Sequence, residues 1–117
     1  MPRYVILRHE SPRGRHFDFM LETGGVLKTW SLTQPPAPGV DIEAQALPDH
    51  RLAYLDYEGP VSGNRGSVAR WDSGTYEVET QSELESTVRL SGEKLNGRVL
   101  LRQSPTAEKN WQLHFFP

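Results

Sequence analysis

The segment His16-Phe17-Asp18-Phe19-Met20-Leu21-Glu22 is the most informative stretch of this chain for chemistry. Its alternation predicts a β-strand, on which successive side chains point to opposite faces. Phe17, Phe19 and Leu21 form one face, turned to a core; His16, Asp18, Met20 and Glu22 form the other. His16 and Asp18 therefore project side by side from one rigid element. An imidazole nitrogen and a carboxylate oxygen so placed can grip one divalent ion. A nitrogen and oxygen donor set without sulfur suits Mn²⁺, Fe²⁺ or Zn²⁺. A third ligand is needed, and His9, at the end of the preceding predicted strand and one hairpin away, can complete the set. From spacing alone, an inert pair on a solvated strand face is the commoner outcome, because so short a motif recurs by chance.

A second cluster is Asp49-His50-Arg51-Leu52-Ala53-Tyr54. Histidine titrates near neutrality without perturbation, so His50 can act as a general acid or donate to a phosphate, and the Tyr54 phenol can reach the same oxyanion. The plainer reading is an exposed loop histidine and a half-buried strand tyrosine. Arg3, Arg8, Arg13 and Arg15 crowd the first fifteen residues against Glu10 alone. Such a segment can meet phosphates, although a solvated charged surface is the simpler account. Gly63-Asn64-Arg65-Gly66 lacks the spacing of a phosphate loop, and there is no Gly-x-Ser-x-Gly elbow. Trp30, Trp71 and Trp111 fall in strand-like runs and read as core or rim packing.

The elements that must hold these residues are short strands. Tyr4–Arg8, His16–Glu22 and Val26–Leu32 are predicted strands, the last two joined by a Gly24-Gly25 hairpin turn. Ala53–Tyr57 is predicted as a strand. Ser67–Trp71 and Thr75–Val78 are predicted to flank a hairpin at Asp72-Ser73-Gly74. Leu84–Leu90, Gly97–Arg102 and Asn110–Phe116 complete about eight mostly antiparallel strands. Asp41–Leu47 reads either as a capped helical turn or as one more strand. The expected fold is all-β: a single compact β-barrel domain over residues 1–117, with at most short helical turns. Closure into a barrel would also hide sheet edges.

Composition agrees with this and narrows the function. Of the 117 residues, 36% are apolar, which a sheet with one buried face tolerates, while nine prolines and ten glycines favour turns over long helices. The absence of cysteine excludes disulfides and thiolate metal sites and fits a reducing cytoplasm, the expected location. No apolar run approaches the ~20 residues of a membrane helix, and Met1-Pro2-Arg3-Tyr4 does not open a signal peptide. A net charge of −2 excludes a bulk-basic nucleic-acid binder.

Read in order, the segments resemble the 3′-phosphoesterase family found at the N-terminus of bacterial ligase D and as free-standing proteins. His9 and His16-Phe17-Asp18-Phe19 with Leu21-Glu22 carry the resemblance first. Gly25–Trp30, Asp49–Tyr54, Asp56-Tyr57-Glu58-Gly59, Trp71–Tyr76 and Leu90–Gly97 continue it over nearly the whole chain. The resemblance implies a β-barrel and a manganese-dependent activity on DNA 3′ ends in repair and end joining: removal of a 3′-phosphate and trimming of 3′ ribonucleotides. It implies that His9, His16 and Asp18 hold Mn²⁺ and that His50 and Tyr54 contact the scissile phosphate. The expected partners are primer-template DNA ends and a separate ligase or polymerase, since no Lys-x-Asp-Gly ligase motif is present.

The chain also departs from the family pattern. The family usually has an arginine two residues after the strand aspartate, where this chain has Met20; Arg8, Arg13 or Arg15 are the candidates to replace it as phosphate contacts. Ile42 stands near a position where the family has a basic residue, His9 and His16 are one residue further apart, and the Ser62–Gly66 loop is shorter. Besides an enzyme, these departures admit a catalytically impaired module that binds DNA ends or a repair partner. An unrelated metal hydrolase of small phosphoesters is a third reading.

Overall fold

The computed structural model describes residues 1–117. Nine strands form one sheet: β1 (Arg3–Ser11), β2 (Gly14–Thr23), β3 (Val26–Leu32), β4 (Asp41–His50), β5 (Gly59–Pro60), β6 (Ser67–Gln81), β7 (Glu85–Gly92), β8 (Asn96–Gln103) and β9 (Asn110–Phe116). The order is β1-β2-β3-β4-β9-β8-β7-β6-β5, and β6 also pairs with β1, so the sheet closes on itself as the sequence predicts. The two-residue β5 lies outside that ring on the edge of β6, and every pairing between strands is antiparallel. No helix is long and apolar enough to cross a membrane.

The barrel interior is filled by the inward half of each alternating strand. Tyr4 and Ile6, Phe17, Phe19 and Leu21, Trp30 and Leu32, and Ile42 and Ala44 meet Val88, Leu90, Val99, Leu101, Leu113 and Phe115 in one cluster. A side chain as buried as Phe19 contributes about 1.5–3 kcal/mol. One carboxylate is sealed in with them. Asp72 accepts from the Tyr4 hydroxyl at 2.5 Å and from the backbone N–H groups of Lys94 and Leu95 at 2.8 and 3.1 Å. It thereby ties β1 and β6 to the β7–β8 turn. Burial, then the bond to Asp72, push the Tyr4 phenol far above its ordinary range, so it remains a donor.

Two sequence expectations are corrected and one open alternative is resolved. Asp72-Ser73-Gly74 is no hairpin: β6 runs unbroken through it, bending from β1 toward β7 with a register shift opposite Ile6 and Leu7. Gly74 permits this bend, because a Cβ there would collide with the Ser91 carbonyl oxygen of β7. Asp41–Leu47 resolves as strand, and β4 continues to His50, so His50 ends a strand. Ala53–Tyr57 is not a strand. Leu52–Leu55 form a single 3₁₀ turn, with Tyr54 N–H donating to the Arg51 carbonyl and Asp56 N–H to the Ala53 carbonyl. The neighbours Tyr54 and Leu55 both pack into one apolar cluster, whereas a strand would turn them to opposite faces.

That cluster lies on the outside of the barrel. Val5, Leu7, Met20, Leu27, Leu55 and Val68 are buried there, with Tyr54 and Val61 against them. The second face of β2 is therefore apolar and covered at Met20.

Candidate metal centre

The β1–β2 hairpin sets His9 directly opposite His16, and Leu7 opposite Asp18. Facing residues of an antiparallel pair share a side of the sheet, so the two imidazoles and the carboxylate project together on the outer face. The rings lie 4.5 Å apart between centroids. His9 Nδ1 stands 3.4 Å from Asp18 Oδ2, and His16 Nε2 stands 3.1 Å from Asp18 Oδ1. One ligand atom from each of the three residues lies within 4.8 Å of the others. That is close to the span that bonds of about 2.0–2.2 Å to one ion allow.

Two details bear on whether a cation fits here. Asp18 is 3% exposed, and its Oδ1 has no hydrogen-bond partner, because the approach of His16 Nε2 is close but not aligned as a hydrogen bond. A buried carboxylate oxygen without a donor costs free energy that a bound cation would recover. The second detail is the orientation of His9. Its Nε2 lies 2.7 Å from the Arg65 carbonyl oxygen, which only accepts, so the neutral ring carries its hydrogen on Nε2. The Nδ1 lone pair then faces Asp18. A ring nitrogen tied to a carbonyl is the usual outer support of a metal-ligating histidine. The residues present thus fit a divalent cation held by His9 Nδ1, His16 Nε2 and Asp18.

The close contact with Asp18 raises the His16 imidazole above its ordinary value of 6.5; burial opposes this and the carboxylate charge reinforces it. In the free protein a raised value adds stability that is complete below the unfolded histidine range and is lost as pH rises through the folded value. Metal ligation needs the neutral ring, so the proton competes with the cation. If this cluster holds a divalent cation, the rise in melting temperature that the cation brings is expected to be larger at about pH 8 than at about pH 6. A rise equal at both would show that His16 is not a ligand.

The other candidates are placed as follows. Leu27 of β3 pairs with Glu22 of β2 and with His50 of β4, which puts His50 on the same outer face as Asp18, two strands across and further along the strands. Met20, Thr29 and Leu47 lie on that face between them. The His50 Nδ1–H donates to the Pro48 carbonyl at 2.9 Å, leaving Nε2 free. The Tyr54 ring meets His50 edge-on at 5.7 Å and Tyr57 at 5.8 Å. Arg8 and Arg15 are not brought to the cluster. They belong to the opposite strand face, where Glu10 pairs with Arg15 at 2.6 Å and Arg8 at 3.5 Å. Arg13 sits in the exposed β1–β2 turn. The Arg65 carbonyl was missed by sequence reading, since a backbone acceptor leaves no trace in residue type.

The family model described as the DNA Ligase D 3′-phosphoesterase domain matches residues 7–103. The chain belongs to that family. Among relatives of the 3′-phosphoesterase domain, the multifunctional non-homologous end joining protein LigD of Pseudomonas aeruginosa is 36% identical over 106 residues, covering 82% of this chain and 12% of the relative. The proteins of that name from Mycobacterium bovis and Mycolicibacterium smegmatis are 34% and 33% identical over 120 and 128 residues. They cover 95% and 96% of this chain, and 15% and 16% of their own length. The chain therefore spans less than a fifth of the relatives it matches.

Proposed function

We propose that this chain is a metal-dependent phosphoesterase that heals DNA 3′ ends, removing a 3′-phosphate and trimming 3′ ribonucleotides during end joining, with a ligase or polymerase acting on its product. The observation that carries this reading is the pairing of His9 and His16 around a buried Asp18 oxygen with no donor, in a chain of the 3′-phosphoesterase domain family. Mn²⁺ is the cation proposed for the site, with His9, His16 and Asp18 as its ligands. When bound, it supplies positive charge to phosphoryl oxygens.

The remaining chemistry falls to side chains. His50 keeps Nε2 free because Nδ1 is committed to Pro48; once protonated, Nε2 donates to a phosphoryl oxygen or to the leaving oxygen. The Tyr54 phenol donates to a second oxygen. Both therefore stabilise charge that grows as the ester bond breaks. Asp18 lies buried beneath the two imidazoles, its Oδ1 3.1 Å from His16 Nε2, where it would share the cation with them.

A second reading, a module that binds DNA ends or a repair partner without turnover, is favoured by Met20, which stands where the family usually has a phosphate-directed arginine. One experiment separates the two. The purified chain is incubated with Mn²⁺ and a primer-template ending in a 3′-phosphate, beside His16→Ala. The expected result is conversion to a 3′-hydroxyl by the wild type alone. Binding without conversion would establish the module instead.

A further inference from the structure

We propose that a groove opening from the metal centre holds the DNA strand leading to the processed 3′ end. This rests on the reading above that the substrate is a DNA terminus. The groove has a volume of about 720 Å³ and begins at His16. From there it passes Ser31, Gln45, Asn110 and Trp111 and reaches Arg102. These residues belong to β2, β3, β4, β9 and β8, five consecutive strands of the ring. At an inter-strand spacing of about 4.8 Å, four gaps carry the groove about 19 Å around the barrel. A small phosphoester would fill one end of it; a chain of nucleotides uses its length.

The lining has the composition a nucleic-acid strand needs. Three of its fifteen residues are hydrophobic, and amides and hydroxyls predominate among the rest, suited to phosphate and sugar oxygens. Arg15 at the rim is committed to Glu10 at 2.6 Å, so Arg102 is the cation the groove can offer to a phosphate. Trp111, packed edge-on against Trp30 at 5.5 Å, adds an indole surface on which a base can stack. The Arg102 side chain is 57% exposed, and its one ion pair, to Glu85 at 3.4 Å, is long and solvated, so redirecting it to a phosphate costs little.

The test is fluorescence anisotropy of a labelled single-stranded oligodeoxynucleotide ending in a 3′-phosphate, titrated with the full chain in chelator, so that binding is read without turnover. Arg102→Glu is expected to weaken binding about tenfold or more and to make it less salt-dependent. Arg89→Glu carries the same change in net charge outside the groove and is expected to bind as the wild type does. An unchanged affinity of Arg102→Glu, equal losses in both variants, or no binding by the wild type would each overturn the groove. Mn²⁺-dependent conversion of the 3′-phosphate is measured separately. Binding that depends on Arg102 without conversion leaves the groove standing and removes only the enzymatic reading. Conversion by an Arg102→Glu protein with unchanged affinity does the reverse.

Discussion

Mn²⁺ at a hundredfold excess over its dissociation constant is expected to raise the melting temperature of the wild type by about 10 °C, and His16→Ala or Asp18→Asn to abolish the rise. A ligand at that excess stabilises the native state by about 2.7 kcal/mol. For a chain of this size each kcal/mol shifts the midpoint by about 4 °C. The two substitutions differ without metal, and that difference is the sharper part of the prediction. His16→Ala removes a half-exposed ring and its contact with Asp18, so the free protein loses a little stability at low pH. Asp18→Asn removes a buried charge whose Oδ1 has no donor, while keeping the shape of the side chain. The relief of that cost offsets the lost attraction to His9 and His16. The free Asp18→Asn protein is therefore expected to unfold in urea within about 1 kcal/mol of the wild type, or above it, while losing all response to Mn²⁺. A fall of several kcal/mol would make Asp18 a structural residue like Asp72, whose carboxylate is fully satisfied. Undiminished stabilisation of either variant by Mn²⁺ would remove the proposed metal centre altogether.

The contrast between Asp18 and Asp72 also marks what the sequence can reveal. Strand alternation is a short-range rule. It placed His16 beside Asp18, and the hairpin brought His9 across to them, because each relation depends on a few neighbouring residues. The closed barrel was legible for a similar reason: short strands and glycine turns recur along the chain. Alternation says which side of a strand a residue takes, but not what covers that side. The outer face at Met20 is buried by Leu55 and Tyr54, which come from a 3₁₀ turn some thirty residues on. Ala53–Tyr57 places its tyrosines at every third residue with Leu55 between them, a pattern that fits a short strand as well as a turn, so the covering element was misread. Asp72-Ser73-Gly74 failed for a related reason. Its glycine serves a close approach between β6 and β7, a tertiary demand that resembles turn chemistry in the sequence. The arginines show the same limit. Composition gathers Arg8 and Arg15 near His9 and His16, and pairing register turns them to the other face, onto Glu10.

Met20→Arg is expected to lower stability by about 2–4 kcal/mol and to raise turnover of a 3′-phosphate end about tenfold or more. The cost follows from the surroundings of Met20, which is 1% exposed and packed among Val5, Leu7, Leu27 and Leu55. None of these offers a hydrogen bond, so an arginine head left among them would be an unpaired buried charge. The long stem can stay in the cluster while the head moves along the outer face toward Asp18, displacing part of the packing under the 3₁₀ turn. A guanidinium delivered there would pair with a phosphoryl group, and one such donor is worth tenfold or more in rate. Met20→Leu separates packing from charge: similar in volume, it is expected to change stability by less than about 1.5 kcal/mol and to leave turnover alone. Urea denaturation and single-turnover rates on the same three proteins decide the matter. If Met20→Arg is destabilised with no gain in rate, position 20 is packing alone in this chain, and the phosphate must be held by His50 and Tyr54 with the metal. If it gains rate, the methionine marks an enzyme that has exchanged part of its transition-state charge for a better-packed outer face.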